Sequence, residues 1–134
     1  MAAIVLCGLQ GEVIVSETAG SERAATHPLD AMAVSKANHA VLLENDRVRV
    51  LNTWIKPGER TEVHSHEWPS ALYVISWSDF VRHASDGKVL VDSRGMQTRP
   101  EAGVVLWSPP LPPHYVENVG TGELRVIAVE LKGE

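Results

Sequence analysis

Residues 103–118 read Gly103-Val104-Val105-Leu106-Trp107-Ser108-Pro109-Pro110-Leu111-Pro112-Pro113-His114-Tyr115-Val116-Glu117-Asn118. Val104 to Trp107 is rich in β-branched and aromatic residues and reads as a short strand. The run Ser108 to Pro113 is a stiff, Pro-rich crossing, and it delivers His114 to the head of a new strand, Tyr115 to Val119. Outward from this core the same grammar repeats. Arg47 to Ile55 is strand-like and ends at Pro57-Gly58, a pair suited to a type II turn because Pro presets φ and Gly accepts φ > 0. Thr61 to His66 alternates, and Ala71 to Trp77 is a further strand. Phe80 to Ala84 and Lys88 to Val91 flank Asp86-Gly87, a strong hairpin signal. Leu124 to Leu131 closes the set after the turn Gly120-Thr121-Gly122. Short strands every 8–12 residues, punctuated by Gly and Pro, predict an all-β sandwich or small barrel. No segment carries ten residues of helical periodicity.

Residues 1–40 read differently. Ala2 to Leu6 and Glu12 to Val15 are candidate strands, and Thr18 to Asn38 is a Ser/Ala/Thr-rich linker or mobile arm. The expected organisation is an N-terminal extension over residues 1–40 and a β-barrel domain over 41–134.

The chain has 134 residues, a formal net charge of −5, six His and one Cys. That length fits one domain. A lone Cys7 permits neither an intrachain disulfide nor a CxxC site. The acidic balance argues against nucleic acid as a partner. No apolar run reaches the ~20 residues of a membrane span, so neither a membrane nor a nucleic-acid partner is expected, and a cytoplasmic location is the default. Phosphate-loop, dinucleotide and serine-elbow motifs are absent.

His64 and His66 stand two apart on a strand, so both imidazoles project to one face, with Cα atoms about 6.5–7 Å apart. Two such rings can reach one ion through bonds of about 2.0–2.2 Å. The bland alternative is a polar surface strand, and for His114 it is a turn residue at a strand edge.

The spacing resembles that of the cupins. Their first motif, G(x)5HxH(x)3–4E(x)6G, matches Gly58, His64 and His66; their second, G(x)5PxG(x)2H(x)3N, matches Gly103, Pro109, His114 and Asn118. The resemblance covers roughly residues 41–131. It implies a double-stranded β-helix, or jelly-roll barrel, with a divalent metal held by His64, His66 and His114. Two positions depart from the pattern. The Glu ligand should fall at Ser70 or Ala71, and Leu111 replaces the Gly of the second motif. Glu62 shares the face of His64 and His66 if the strand is regular and stands as a second-sphere partner for a ligand His, while Glu67 points the other way.

Three neutral imidazoles leave the full charge on a divalent ion and favour a chelating, anionic substrate. Imidazole suits Fe, Zn, Ni and Cu. Fe2+ is the first expectation, from the similarity to three-His cupin dioxygenases, with Zn2+, Mn2+ or Ni2+ as alternatives. The expected activity is a dioxygenase, an oxidoreductase acting on a β-dicarbonyl, a thiol or a similar small molecule. The alternatives are a non-catalytic module that binds a metal or small ligand, and a metal-dependent isomerase or lyase with Glu62 as base. Trp54, Tyr73, Trp107 and Tyr115 are candidates for the pocket lining, each with core packing as the competing role. Arg94, Gln97 and Arg99 are candidates to hold a carboxylate from a loop. His27, His39 and His83 fall outside both motifs. A homodimer is expected, with Ala2 to Leu6 as an edge or exchanged strand.

Overall fold

Alternation of side chains along residues 48–55 and 124–131 gives two long strands whose inner faces are mainly apolar, with Leu51, Ile55, Leu124 and Ala128 buried, and these form the centre of the larger of two sheets. The computed structural model describes residues 27–133 and the two-residue strand Ile14–Val15. The elements in chain order are β1 (Ile14–Val15), α1 (Ala31–Val34), β2 (His39–Glu44), β3 (Val48–Ile55), β4 (His64–His66), β5 (Ser70–Ser76), β6 (Phe80–Ala84) and β7 (Val89–Asp92). A 3-10 turn at Ser93–Gly95 follows, and then β8 (Val105–Ser108), β9 (Leu111–Asn118) and β10 (Leu124–Leu131). One sheet has the order β1-β2-β3-β10-β5-β8 and the other β4-β9-β6-β7. From β3 to β6, and again from β8 to β10, each strand crosses to the opposite sheet. The chain thus winds as a jelly roll around a common interior, where Ile55, Val116 and Leu124 pack with Trp77 and Phe80.

The turns do what their residues suggest. Gly58 (φ 78°), Gly87 (φ 93°) and Gly103 (φ 90°) take left-handed backbone that L-residues avoid. Asn118 is 2% exposed and acts as a staple. Its Nδ2 donates to the carbonyls of Ile55 (2.7 Å) and Gly122 (2.8 Å), and its Oδ1 accepts from Ser78 Oγ (2.8 Å) and Gly120 N (3.0 Å). The motif Asn therefore ties β9 to the ends of β3 and of the turn before β10.

Two expectations need correction. The Pro-rich run is not wholly a crossing, because β9 begins at Leu111 and contains Pro112 and Pro113. Pairing of β9 with β6 starts only at His114↔Ala84, so neither proline is asked for an N–H on that side. Residues 27–38 are not a loose arm either. Asp30 caps α1 by accepting from Met32 N (3.0 Å), and Ala31 and Ser35 are fully buried. Ser65 N donates to Leu29 O (2.7 Å), which docks this segment on β4. The barrel's hydrogen bonding already includes β2 from His39 onward, and Ile14–Val15 adds a parallel strand beside β2. Ala2 to Leu6 and Cys7 lie outside the described residues. No helix among the described residues is long and apolar enough to cross a membrane.

Candidate metal centre

Register brings the histidines together. His64 on β4 lies directly opposite His114 on β9, which closes the fifty-residue gap between the two motifs. Their ring centroids are 4.5 Å apart. His66 lies 5.0 Å from His64 and 5.7 Å from His114. A fourth imidazole joins them. His39 opens β2 opposite Thr53, an inward residue of β3, and its ring stands 4.8 Å from His64 and 5.5 Å from His66. The ligand atoms of His39, His64 and His66 all lie within 4.8 Å of one another, a grouping able to hold a metal ion.

Each ring is held by a hydrogen bond at the same nitrogen. His39 Nδ1 meets Ser35 O at 2.9 Å, His64 Nδ1 meets Glu62 O at 2.7 Å, and His114 Nδ1 meets Pro112 O at 2.8 Å. A carbonyl oxygen only accepts, so each Nδ1 carries the proton and each Nε2 keeps its lone pair. His66 Nδ1 meets Glu130 Oε2 at 3.1 Å, a carboxylate–histidine arrangement that orients the ring. His39, His64 and His66 form a nitrogen donor set that fits a divalent ion, while His114, expected with His64 and His66, falls outside that group with its ring 4.5 Å from that of His64.

Glu130 is 0% exposed and belongs to a buried ionic chain. Arg49 Nε donates to Glu130 Oε1 (2.6 Å), and its two terminal nitrogens grip Asp30 (2.8 and 3.0 Å). Arg49 and Glu130 face each other across the β3–β10 ladder, as do Glu130 and Ser70 across β10–β5. A carboxylate does occur on the neighbouring strand opposite Ser70, where Glu130 meets His66 Nδ1 instead of offering its oxygens to the cluster. Burial works against all three charges. For Asp30 and Glu130 the hydrogen bonds and charge of Arg49, joined by His66, outweigh it and hold both carboxyls below their usual range. For Arg49 the two carboxylates outweigh it and raise the guanidinium.

Burial, reinforced by the neighbouring imidazoles, pushes His39 and His64 down to about 3 and His114 down to about 4. These rings stay neutral when folded but protonate near pH 6.5 when unfolded. The unfolded chain then binds more protons between about pH 6.5 and 3–4, so stability present above pH 6.5 is lost as pH falls through that window. Chelator-treated protein moved from pH 7.5 to 5.5 is expected to lose up to roughly 4 kcal/mol, read as a lower urea midpoint. A midpoint that stays constant over that range contradicts the buried, neutral state of these rings.

The cavity above the cluster measures about 260 Å³, near the small end of ligand pockets. Trp107 lines it and is 62% exposed, at the rim. The other expected lining residues fall elsewhere. Tyr73 and Trp54 alternate with the lining residues Leu72, Thr53 and Ile55, and so face outward. Tyr115 stacks on His83 at 4.5 Å on the outer face. Glu62 is exposed and contributes only its backbone carbonyl, because regular strand begins at His64. Arg94 pairs with Asp92 (2.7 Å) and Arg99 with Asp79 (3.1 Å), and neither they nor Gln97 line the cavity.

His39, Asp30, Arg49 and Glu130 escaped the sequence reading. Glu130 and Arg49 had a signal, since each occupies the inward period of an apolar strand (Leu124, Val126, Ala128, Glu130; Arg49, Leu51). His39 had none, because nothing in its spacing links it to the motifs.

No protein-family profile and no curated protein sequence matches this chain. Solved structures do match. A cupin domain from Bordetella pertussis Tohama I superposes with a TM-score of 0.58 at 21% identity, over 71% of this chain and 92% of that one. An uncharacterised conserved protein with a double-stranded β-helix domain from Klebsiella pneumoniae gives 0.50 at 23% identity, over 75% and 82%. An RmlC-like cupin family protein from Methanocaldococcus jannaschii gives 0.50 at 14% identity, over 69% and 77%. With its two crossed sheets and inward histidines, the chain has the cupin fold, a double-stranded β-helix.

Proposed function

We propose that this protein is a metal-dependent enzyme acting on a small chelating anion in the mouth of the barrel. The observation that carries this reading is the set of four imidazoles, each with Nδ1 tied to an oxygen acceptor and Nε2 left free. His39, His64, His66 and His114 would hold the ion, and Fe2+, Zn2+ and Ni2+ all suit nitrogen donors of this kind. A divalent ion bound here supplies a Lewis acid that polarises a substrate oxygen, with two positions left for exogenous ligands if it is six-coordinate.

The protein's own part is electrostatic. The rings of His39, His64 and His114 are neutral, and Asp30, Arg49 and Glu130 together carry one negative charge beneath them. Among the described residues no carboxylate lines the cavity, so an entering enolate, carboxylate or thiolate meets no carboxylate at its wall. The same absence leaves no protein base at the expected place, Glu62 being outside. Chemistry that needs an electron sink but no protein base is therefore favoured, which points to lyase-type cleavage beside a chelating oxo group. If His39, His64, His66 and His114 all held the ion, a two-point chelate would leave O2 no position beside it, which weighs against dioxygenation.

Purified protein loaded separately with Fe2+ and Zn2+, and offered β-diketones, β-oxo acids and thiols, tests this. Turnover without O2 is the expected result. O2 consumption matched to substrate restores the Fe2+ dioxygenase reading, and inertness of fully loaded protein leaves the binding module.

A further inference from the structure

Arg82 stands out as a half-buried cation on the cavity wall. It sits on β6 opposite Val116 of β9, and both side chains line the cavity. His114 is two residues before Val116 on the same inward face, so Arg82 and His114 are diagonal cross-strand neighbours, with backbones about 7–8 Å apart. An Arg side chain spans that distance.

Arg82 has no ionic partner among the described residues. Its Nε is buried without a hydrogen bond, and its guanidinium lies 6.0 Å from the Phe80 ring. Burial alone pulls its pKa below the usual value. The enclosed cations Arg49 and Lys132 are compensated: Arg49 holds Asp30 and Glu130, and Lys132 holds Glu44 at 2.7 Å. Arg82 is half-buried, and a donor enclosed without a partner, as its Nε is, costs free energy. Such a donor persists where an incoming group completes it, and a guanidinium matches a carboxylate in two parallel hydrogen bonds. Arg82 is also the only Asp, Glu, Lys or Arg among the described lining residues.

We propose that Arg82 is the carboxylate-binding residue of this pocket, so that the ligand is a small organic acid with a second oxygen donor directed at the imidazoles. The second half of that statement rests on the metal-centre reading; the first does not.

Binding of malonate, succinate and glutarate, each against its monomethyl ester, is measured by calorimetry on the full chain, both Zn2+-loaded and chelator-treated. The best-fitting diacid is expected to bind loaded wild-type protein at least tenfold more tightly than its ester. Arg82→Gln is expected to shrink that ratio to threefold or less with zinc content unchanged. Arg82→Lys keeps an intermediate ratio, since an ammonium lacks the planar fork, and it serves as the test if the Gln variant does not fold. A variant that retains the wild-type ratio overturns the proposal, as does a loaded wild-type protein with no diacid preference. If wild-type protein takes up no zinc, the metal reading fails, and a ratio in metal-free protein that collapses on Arg82→Gln still supports the acid site.

Discussion

His64→Ala is expected to abolish stoichiometric metal uptake, lowering affinity by at least about 100-fold, which exceeds the roughly 10–100-fold typical of changes in residues that only support a ligand. His64 is 2% exposed at the centre of the cluster, with its ring against those of His39, His66 and His114. His39→Ala is the more discriminating variant. If only the two sequence motifs supply ligands, it leaves affinity nearly intact; if the four rings act together, it causes a loss comparable to that of His64→Ala. Metal content after dialysis, measured on protein purified without a His tag, separates these outcomes. Unchanged content in both variants would remove the basis for every metal-centred role.

Arg49→Met is expected to destabilise the fold by about 3–5 kcal/mol, because it strands two buried carboxylates at once. Asp30 and Glu130 are 3% and 0% exposed, and Arg49 is the cation between them. The melting temperature should fall by on the order of 10–20 °C. Asp30→Asn and Glu130→Gln added to Arg49→Met remove the stranded charges and should recover much of that stability, since a buried ion pair often contributes little net. Metal affinity should not recover with it. The amide that Glu130→Gln introduces is a weaker acceptor for His66 Nδ1 than the carboxylate, so a deficit of about 10–100-fold is expected to remain. Denaturation midpoints and metal titrations on the single and triple variants test both halves. Full recovery of affinity alongside stability would mean that Glu130 only balances charge.

The barrel was legible because its signals are local. Phe80 to Ala84 and Leu124 to Leu131 are strands with the bounds their residue patterns suggest, and Asp86-Gly87 makes the hairpin between β6 and β7. The prolines at 112 and 113 misled, since they weaken strand signals in isolation and their tolerance depends on which neighbour pairs there. Residues 27–38 misled for a similar reason. With a four-residue helix and little periodicity, the segment is ordered by Arg49 and by β4, contacts invisible along the chain.

His64 and His66 share a face by a strand's two-residue period, which consecutive residues carry, whereas His114 and Asn118 stand out only through their resemblance to the second cupin motif. Tertiary structure alone decided that His39 joins them, that Glu130 supports His66 in place of any carboxylate near residue 70, and that Arg82 faces the cavity uncompensated. Those three facts depend on which strand lies beside which and in what register. Register is a property of the whole sheet, set by the burial of its apolar face, and no single segment of the sequence carries it.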